Sequence, residues 1–343
     1  MKVSVTSKQV TRDDVAKLAG VSSATVSHVV NNGPRNVSPE TRAKVLQAIR
    51  ELGYKPNAVA RNLRRQRTST LGLIIPDTFN PYFAEVARGI EAVAFENGYI
   101  VVLCHSHYNL EREIRYIDVL SEERVAGVIW VPATYDDMPA KRLLEYQIPL
   151  VILDRSIGRR DVLSVVADNF RGGYIATEHL ISLGHRRIGC ITRPVGLDHS
   201  NERIRGYQAA LSDHNLPVDE SLLVSGGYKF EDGRRAAMEL IDCQPPPTAL
   251  FAYNDIMAIG AMHAAKERGL RIPEHLSIVG FDDIPGAAFT FPPLTSVCQP
   301  KLEMGRLSAE LLIDSISSQT KIEEAQVKMD VRLVVRQSTG VAP

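Results

Sequence analysis

From residue 71 onward, short apolar runs alternate with longer stretches whose apolar positions recur at helical spacing. LGLIIP (71–76), YIVVLC (99–104), VAGVIWVP (125–132) and PLVILD (149–154) are strand-length. The stretches between them, Pro81–Gly98, Leu110–Glu123 and Pro139–Gln147, read as amphipathic helices. The alternation resumes after Asp168, with helices at Phe170–Leu183, Asn201–His214, Glu231–Cys243 and Asn254–Arg268. The strands there are RRIGCIT (186–192), TALFAY (248–253) and LSIVGF (276–281). Strands without polar alternation, joined by amphipathic helices, predict parallel sheets covered on both faces. A switch near Val165–Asn169 divides the pattern into two lobes of like design. Ligands of such sheets bind beyond the C-terminal ends of the strands, so the expected site is the cleft between the lobes. The polar residues at those ends are Asp77 to Asn80, Asp154, Arg193, Asn254, Asp255, Asp282 and Asp283.

The first 56 residues follow only the helical period. Thr11-Arg-Asp-Asp14 has the form of a capping box, followed by Val15, Ala16, Leu18 and Ala19 as an apolar stripe. Gly20-Val21-Ser22 is a tight turn, and Ser22 can cap a second helix from Ser23 to about Asn31 with Val26, Val29 and Val30 inward. Ser38-Pro39 opens a third helix, which Gly53 stops; Val45, Ala48, Ile49 and Leu52 form its inner face. Two short helices joined by a three-residue glycine turn predict a helix-turn-helix. In that motif the N-terminal residues of the second helix reach base edges; here they are Ser23, Ala24, Thr25, Ser27 and His28. Thr11, Ser22, Asn31, Arg35 and Tyr54 complete the expected contact surface of the head. Asn57 to Arg65 is a two-turn helix candidate, marginal alone in water.

Charge sharpens this division. Residues 1–67 hold 13 Lys or Arg against 4 Asp or Glu, leaving 27 against 36 in the rest of a formally neutral chain of 343 residues. No acidic residue stands between Val15 and Pro39. A basic head on an acidic body points to a polyanion partner for the head, and for a soluble protein that is foremost nucleic acid. The four cysteines are scattered with no metal spacing, and MKVSVTSKQV lacks an apolar leader core, so a reducing cytoplasm is the expected compartment. No apolar run approaches the length of a membrane span.

DVAKLAGVSSATVSHVVNN and VSPETRAKVLQAIRELGYKPNAVARNL resemble the DNA-binding headpiece of the LacI/GalR bacterial regulators. In the body, NPYFAEVARGIEAVAFENGY, HLISLGHRRIGCI, NERIRGYQAAL, FAYNDIMAIGAM and SIVGFDDIP resemble blocks of the same family. The resemblance implies a multidomain protein: an all-α helix-turn-helix headpiece with a hinge helix, then an α/β two-lobed periplasmic-binding-protein-like domain of two parallel doubly wound sheets. The expected boundaries are a disordered tail at 1–10, the head at 11–56, hinge and linker at 57–70, and an effector-binding and dimerisation domain at 71–343. Within the last, the N-lobe is expected at about 71–166 plus 296–322 and the C-lobe at about 167–295 plus 323–340. The resemblance further implies a homodimer on a pseudo-palindromic double-stranded operator. Its hinge helices order on DNA, with Asn57, Ala60 and Arg64 near the duplex and Leu63 as an apolar wedge in the minor groove. Dimer contacts are expected along the N-lobe, including the helices near Tyr82–Asn97 and Glu111–Glu123.

By the same resemblance Arg203 is the effector-binding arginine, Asp282 binds effector hydroxyls, and Asn254 and Asp154 are further polar contacts. Asp77 and Asn80 stand at the first strand end, and Phe79, Tyr82, Phe83 and Tyr228 are expected aromatic walls. Carboxylates, amides, arginine and aromatic faces together suit a sugar. Arg193 stands where a small residue is expected, and two readings stay open: a partner for an anionic group, or a pair with a nearby acid. The alternative effector is a purine corepressor, disfavoured because Leu197 and His199 stand where a purine-responsive member has base-reading polar residues. A solute-binding protein and a sugar-modifying enzyme are the other classes weighed. The basic head opposes both, and no P-loop, GxSxG or HExxH stands in a suitable context. No cofactor or metal is expected, Gly172-Gly173 and Gly226-Gly227 read as turns, and no leucine heptad suggests a tetramer.

Overall fold

The computed structural model describes residues 10–30, 37–54, 68–134, 136–155, 157–159, 161–193, 202–318 and 326–343. These form two compact units, meeting in sequence at Arg67 and Thr68. Residues 1–9 of the tail, Asn31, Arg35, the hinge residues Asn57, Ala60, Leu63 and Arg64, and Leu197 and His199 lie outside the described residues.

The described residues of the first unit form three helices: α1 (Arg12–Ala19), α2 (Ser23–Val30) and α3 (Pro39–Leu52). Thr11 and Asp14 close the capping box, and Gly20 and Gly53 end α1 and α3 in the left-handed region at φ 63° and 60°. Val15, Ala16, Val26, Val29, Val45 and Ala48 make the core. Leu18 is half exposed, outside that core. At 100° per residue it falls well off the face shared by Val15, Ala16 and Ala19, which corrects the expected stripe.

The second unit holds two six-stranded sheets. In the first lobe the elements run β1 (Thr70–Ile75), α4 (Pro81–Glu96), β2 (Ile100–His105), α5 (Leu110–Glu122), β3 (Gly127–Trp130), α6 (Met138–Glu145), β4 (Leu150–Leu153) and β5 (Leu163–Ala167). The second lobe follows with α7 (Asn169–Ser182), β6 (Ile188–Thr192), α8 (Glu202–Asp213), β7 (Leu223–Ser225), α9 (Phe230–Asp242), β8 (Ala249–Ala252), α10 (Asp255–Glu267) and β9 (Ser277–Asp282). The chain ends with β10 (Thr295–Cys298), α11 (Lys301–Ser318), β11 (Gln326–Met329) and β12 (Arg332–Val334). Strand orders are β11-β5-β4-β3-β1-β2 and β12-β10-β9-β8-β6-β7. Each lobe therefore reverses direction beside its first strand, β1 or β6, and the two switch points supply the cleft residues. Alternation along β1 sends Leu71, Leu73 and Ile75 toward one cluster with Val86 and Ile90 of α4, and Ile74 toward another with Ile117 of α5.

Two expectations change. The edge strand β12 is antiparallel to β10, so the second sheet is mixed. The lobe boundaries also shift: β10 runs parallel to β9 in the second sheet, whereas β11 pairs with β5 in the first. The 296–298 segment thus belongs to the C-lobe and 326–329 to the N-lobe, because each strand extends the sheet whose edge it meets. The crossings lie near Asp168, Gln299 and Asp330, and the Asp168 amide donates to the Met329 carbonyl at 2.8 Å where two of them run together.

Gly172 and Gly173 lie inside α7 and not in a turn. A Cβ on Gly173 would strike the backbone carbonyl of Arg203, and one on Gly206 would strike that of Phe170. Helices α7 and α8 therefore cross backbone to backbone, which sets the height of Arg203. Gly173→Val is expected to cost about 1–3 kcal/mol through overpacking. Chemical denaturation reads this directly, and an unchanged midpoint would show that the crossing tolerates a side chain.

Candidate functional site

In the head, Ser22 caps α2: its hydroxyl accepts the Thr25 amide at 3.1 Å and lies 2.9 Å from the Thr25 hydroxyl. The Ser23 hydroxyl donates to Asp13 of α1, tying the two helices together. Ser22 and Ala24 are exposed, while Ser23, Thr25, Ser27 and His28 are half-buried. Thr11 is committed to the α1 cap, and Tyr54 packs beside the head core. The start of α2 thus presents small side chains around Ala24, with His28 one turn farther on.

In the cleft, Arg203 of α8 is 5% exposed and held from several sides. Its Nε donates to Asn169 Oδ1 at 2.7 Å and its Nη1 to the Tyr253 carbonyl at 2.6 Å. Its guanidinium lies 3.6 Å from the Phe281 ring centre and 4.4 Å from that of Tyr253. Asp282 Oδ1 is 3.9 Å from Arg203 Nη1 and accepts Gln299 Nε2 at 2.7 Å. Lys301 Nζ donates to the carbonyls of Asp282 and Asp283. Asp282 sits at φ 110°, a strained left-handed position for a non-glycine residue. Burial pushes its carboxyl above the ordinary carboxylate range, opposed by Arg203 and reinforced by Asp154. Across the cleft the Tyr82 hydroxyl donates to Asp154 Oδ1 at 2.7 Å. Burial, then the Asp154 charge, raises the Tyr82 pKa, so this phenol stays a donor. The cluster offers two carboxylates and a fixed guanidinium, which can accept from and donate to neighbouring hydroxyls.

Other expected residues are used differently. Asp77 Oδ1 accepts the Phe79 amide at 2.9 Å, and Asn80 Oδ1 accepts the Tyr82 amide at 3.0 Å, so both shape the start of α4. Phe83 is buried in the core, edge-on to Tyr82. Asn254 caps α10 by accepting the Met257 amide at 2.8 Å. Asp255, at the same strand end, is fully buried and accepts the Ile284 amide at 2.8 Å and the Ser296 hydroxyl at 2.5 Å. Burial, then the Asp282 charge, raises its pKa. It fastens the loop after β9 to β10. Arg193 is buried just past β6. Phe79 and Tyr228 lie in the wall of a cavity farther out, described below. Asn169, Tyr253, Phe281, Gln299 and Lys301 went unread in the sequence. Among them Tyr253 and Phe281 end predicted strands and Asn169 precedes a predicted helix, which are the signals that could have found them.

Behind the first lobe, Glu113 accepts Trp130 Nε1 at 2.9 Å and the Ala133 amide at 2.8 Å on one oxygen. Its other oxygen has no hydrogen-bond partner among the described residues. Burial raises its pKa from 4.5 to about 7, against the lowering by Trp130, Ala133 and Arg155. A folded-state pKa above the unfolded one means that the stabilising contribution is present below pH 4.5 and lost as pH rises through 7. Glu113→Gln, which keeps an accepting oxygen, is expected to raise stability at pH 8 by up to about 3 kcal/mol and to flatten that slope. Thermal midpoints between pH 4.5 and 8 check this; parallel curves for the two proteins would refute it.

Residues 11–57 match the family model for bacterial regulatory proteins of the lacI family, and residues 177–339 match that for a periplasmic binding protein-like domain. The HTH-type transcriptional repressor PurR of Edwardsiella ictaluri is 41% identical over 333 residues, covering 96% of this chain and 97% of the relative. The chain belongs to the LacI family. The protein is therefore a LacI-family transcriptional regulator, its helix-turn-helix head joined to a two-lobed α/β body. The PurR repressor of Proteus mirabilis is 40% identical over the same span. Among solved structures, the lac repressor dimer bound to operator and the anti-inducer ONPF is 30% identical at a TM-score of 0.86, with 97% of this chain and 100% of that one covered. The transcriptional regulator CelR–cellobiose complex is 35% identical at a TM-score of 0.74, with 96% and 99% covered. No helix among the described residues is long and apolar enough to cross a membrane.

Proposed function

We propose that this LacI-family protein is a repressor that binds a pseudo-palindromic operator as a homodimer and answers to a small sugar held between its lobes. The observation that carries the effector reading is the Arg203–Asp282 cluster. It is a guanidinium anchored by Asn169 and the Tyr253 carbonyl, set against aromatic rings and facing carboxylates that accept hydroxyl hydrogens. The cellobiose in the CelR complex supports a sugar as the class. A purine is the second reading, favoured by the flat faces of Phe79, Tyr108 and Tyr228 around the outer cleft.

A thermal-shift screen of the full chain with mono- and disaccharides, sugar phosphates and purines separates these readings. A saturating ligand stabilises the native state by about 2.7 kcal/mol at a hundredfold excess over Kd. A shift with a neutral sugar supports the reading, and a shift with purines alone replaces it.

The operator reading rests on the basic head and on the small side chains at the start of α2. The hinge-helix wedge at Leu63 belongs to the same proposal. The effector acts by binding one arrangement of the lobes better than the other, which shifts the DNA-competent population. His28→Ala is expected to lose about 1–3 kcal/mol of discrimination at one base pair. Binding to unrelated DNA should hold. Equal losses on every sequence in a competition assay would make His28 a phosphate contact.

A further inference from the structure

The first lobe carries a buried acid that the Arg203–Asp282 cluster does not use. Glu113 of α5 is fully buried, and one of its oxygens takes both the Trp130 indole and the Ala133 amide. The same Ala133 peptide is engaged on its other side, where its carbonyl accepts Arg155 Nη1 at 3.3 Å. Arg155 is buried too. Its Nε lies 3.6 Å from Asp154 Oδ2, and its guanidinium lies 5.6 Å from the Tyr228 ring centre. Tyr228 belongs to the second lobe. With Phe79 and Tyr108 of the first it walls a cavity of about 370 Å³ in the outer cleft, and its ring stacks on that of Tyr108 at 4.1 Å. One peptide group therefore separates Glu113 from the arginine that meets the second lobe.

We propose that Glu113 is a proton-operated switch on the contact between the lobes: ionised, it holds Arg155 against Tyr228, and protonated, it lets that contact loosen. An ionised carboxylate accepts a hydrogen bond about twice as strong as a neutral group does. It polarises the Ala133 peptide, whose carbonyl then holds the guanidinium more firmly. It also attracts Arg155 directly, in surroundings that screen poorly. A proton on Glu113 removes both effects. Among the described residues, the sheet offers Trp130 to this site and α6 offers Ala140 and Leu143. On α5 itself Arg112 acts on His107, and Asp118 pairs with Arg142. Ahead of α5, His105 and His107 stack on each other, and His105 faces Asp77. Burial raises the Glu113 pKa to about 7; the Trp130 and Ala133 hydrogen bonds oppose it, and Arg155 is the charged group that does so. The carboxyl thus changes charge near neutral pH. Coupling is reciprocal, so the lobe contact that seats Arg155 lowers the proton affinity of Glu113. An effector that draws the lobes together then binds more tightly above pH 7 than below it. That consequence rests on the effector reading above, whereas the switch itself does not.

Trp130 is the only tryptophan of the chain and donates to Glu113, so its emission reports the charge on that carboxyl with no ligand present. The test is a fluorescence titration of the full chain between about pH 5 and 9. The parent is expected to show a transition with its midpoint at about 7, and Glu113→Gln to lack it. Tyr228→Leu keeps bulk but takes the aromatic face from Arg155, and should raise the midpoint by about 0.3–0.7 unit. Tyr228→Phe keeps the ring and should keep the parent midpoint. Tyr228 is half-buried, and circular dichroism reports that the variants are folded. A parent without the transition, or a transition that persists in Glu113→Gln, overturns Glu113 as the proton site. A midpoint that stays in place in Tyr228→Leu, or moves as far in Tyr228→Phe, overturns the link to the second lobe and leaves the effector reading standing.

Discussion

Arg203→Ala is expected to lose at least about a hundredfold in effector affinity, while operator affinity stays within about threefold because the head is a separate unit with its own core. The side chain touches Asn169, the Tyr253 carbonyl and two aromatic rings, so its truncation also empties a packed site. It removes the main cation facing Asp282, whose carboxyl is buried. Breaking a buried charge pair costs up to about 3–5 kcal/mol when the survivor stays charged. Asp282 has a way out, since burial already raises its pKa and loss of Arg203 raises it further. The variant should therefore be closer to the parent in stability at acid pH and fall away as pH rises, the carboxyl being forced to ionise without a partner. Arg203→Lys should not restore binding, because a single ammonium cannot reach Asn169, Tyr253 and a ligand in one plane. A variant that answers the effector normally would remove Arg203 from the site.

Many strands and helices of the body were legible because the apolar run buries both faces or the helix carries one stripe. β1 and α4 are examples. The strand ends pointed to Asp154 and Asp282, and the family resemblance pointed to Arg203. What escaped reading depends on contacts between distant segments. Gln299 and Lys301 reach Asp282 only because the chain crosses between lobes after β10, and no local period marks a crossing. Asn254 and Asp255 are adjacent and equally polar, yet one caps α10 and the other holds the loop after β9. That choice follows from where Ile284 and Ser296 lie in the fold. Gly172-Gly173 has the look of a turn until α8 is laid across it. Antiparallel β12 is three residues long, too short to show a pattern.

Placing charge on the outer edge of the first lobe is expected to separate the proposed dimer and abolish tight operator binding. Among the described residues the strand β2 pairs only with β1, leaving its other edge open. Its sequence IVVLCH is nevertheless apolar, with Ile100, Val102 and Leu103 70%, 42% and 49% exposed. Phe95 at the end of α4 and Val119 of α5 are exposed in the adjoining helices. Soluble monomers blunt open edges with charge or proline, and this edge has neither. A two-fold contact would bury the same patch on each partner. A double substitution, Ile100→Asp with Leu103→Asp, removes apolar area from water-excluded contact and puts like charges near one another across the two-fold axis. Both positions are exposed in the single chain, so the fold should tolerate them. Sedimentation is expected to show a monomer where the parent is a dimer. Operator affinity should fall about 10²–10⁴-fold, the gain that linking two heads confers, while affinity for the effector in the cleft is kept. A variant that still sediments as a dimer would move the interface elsewhere on the lobe. A monomer with undiminished operator affinity would end the two-head reading altogether.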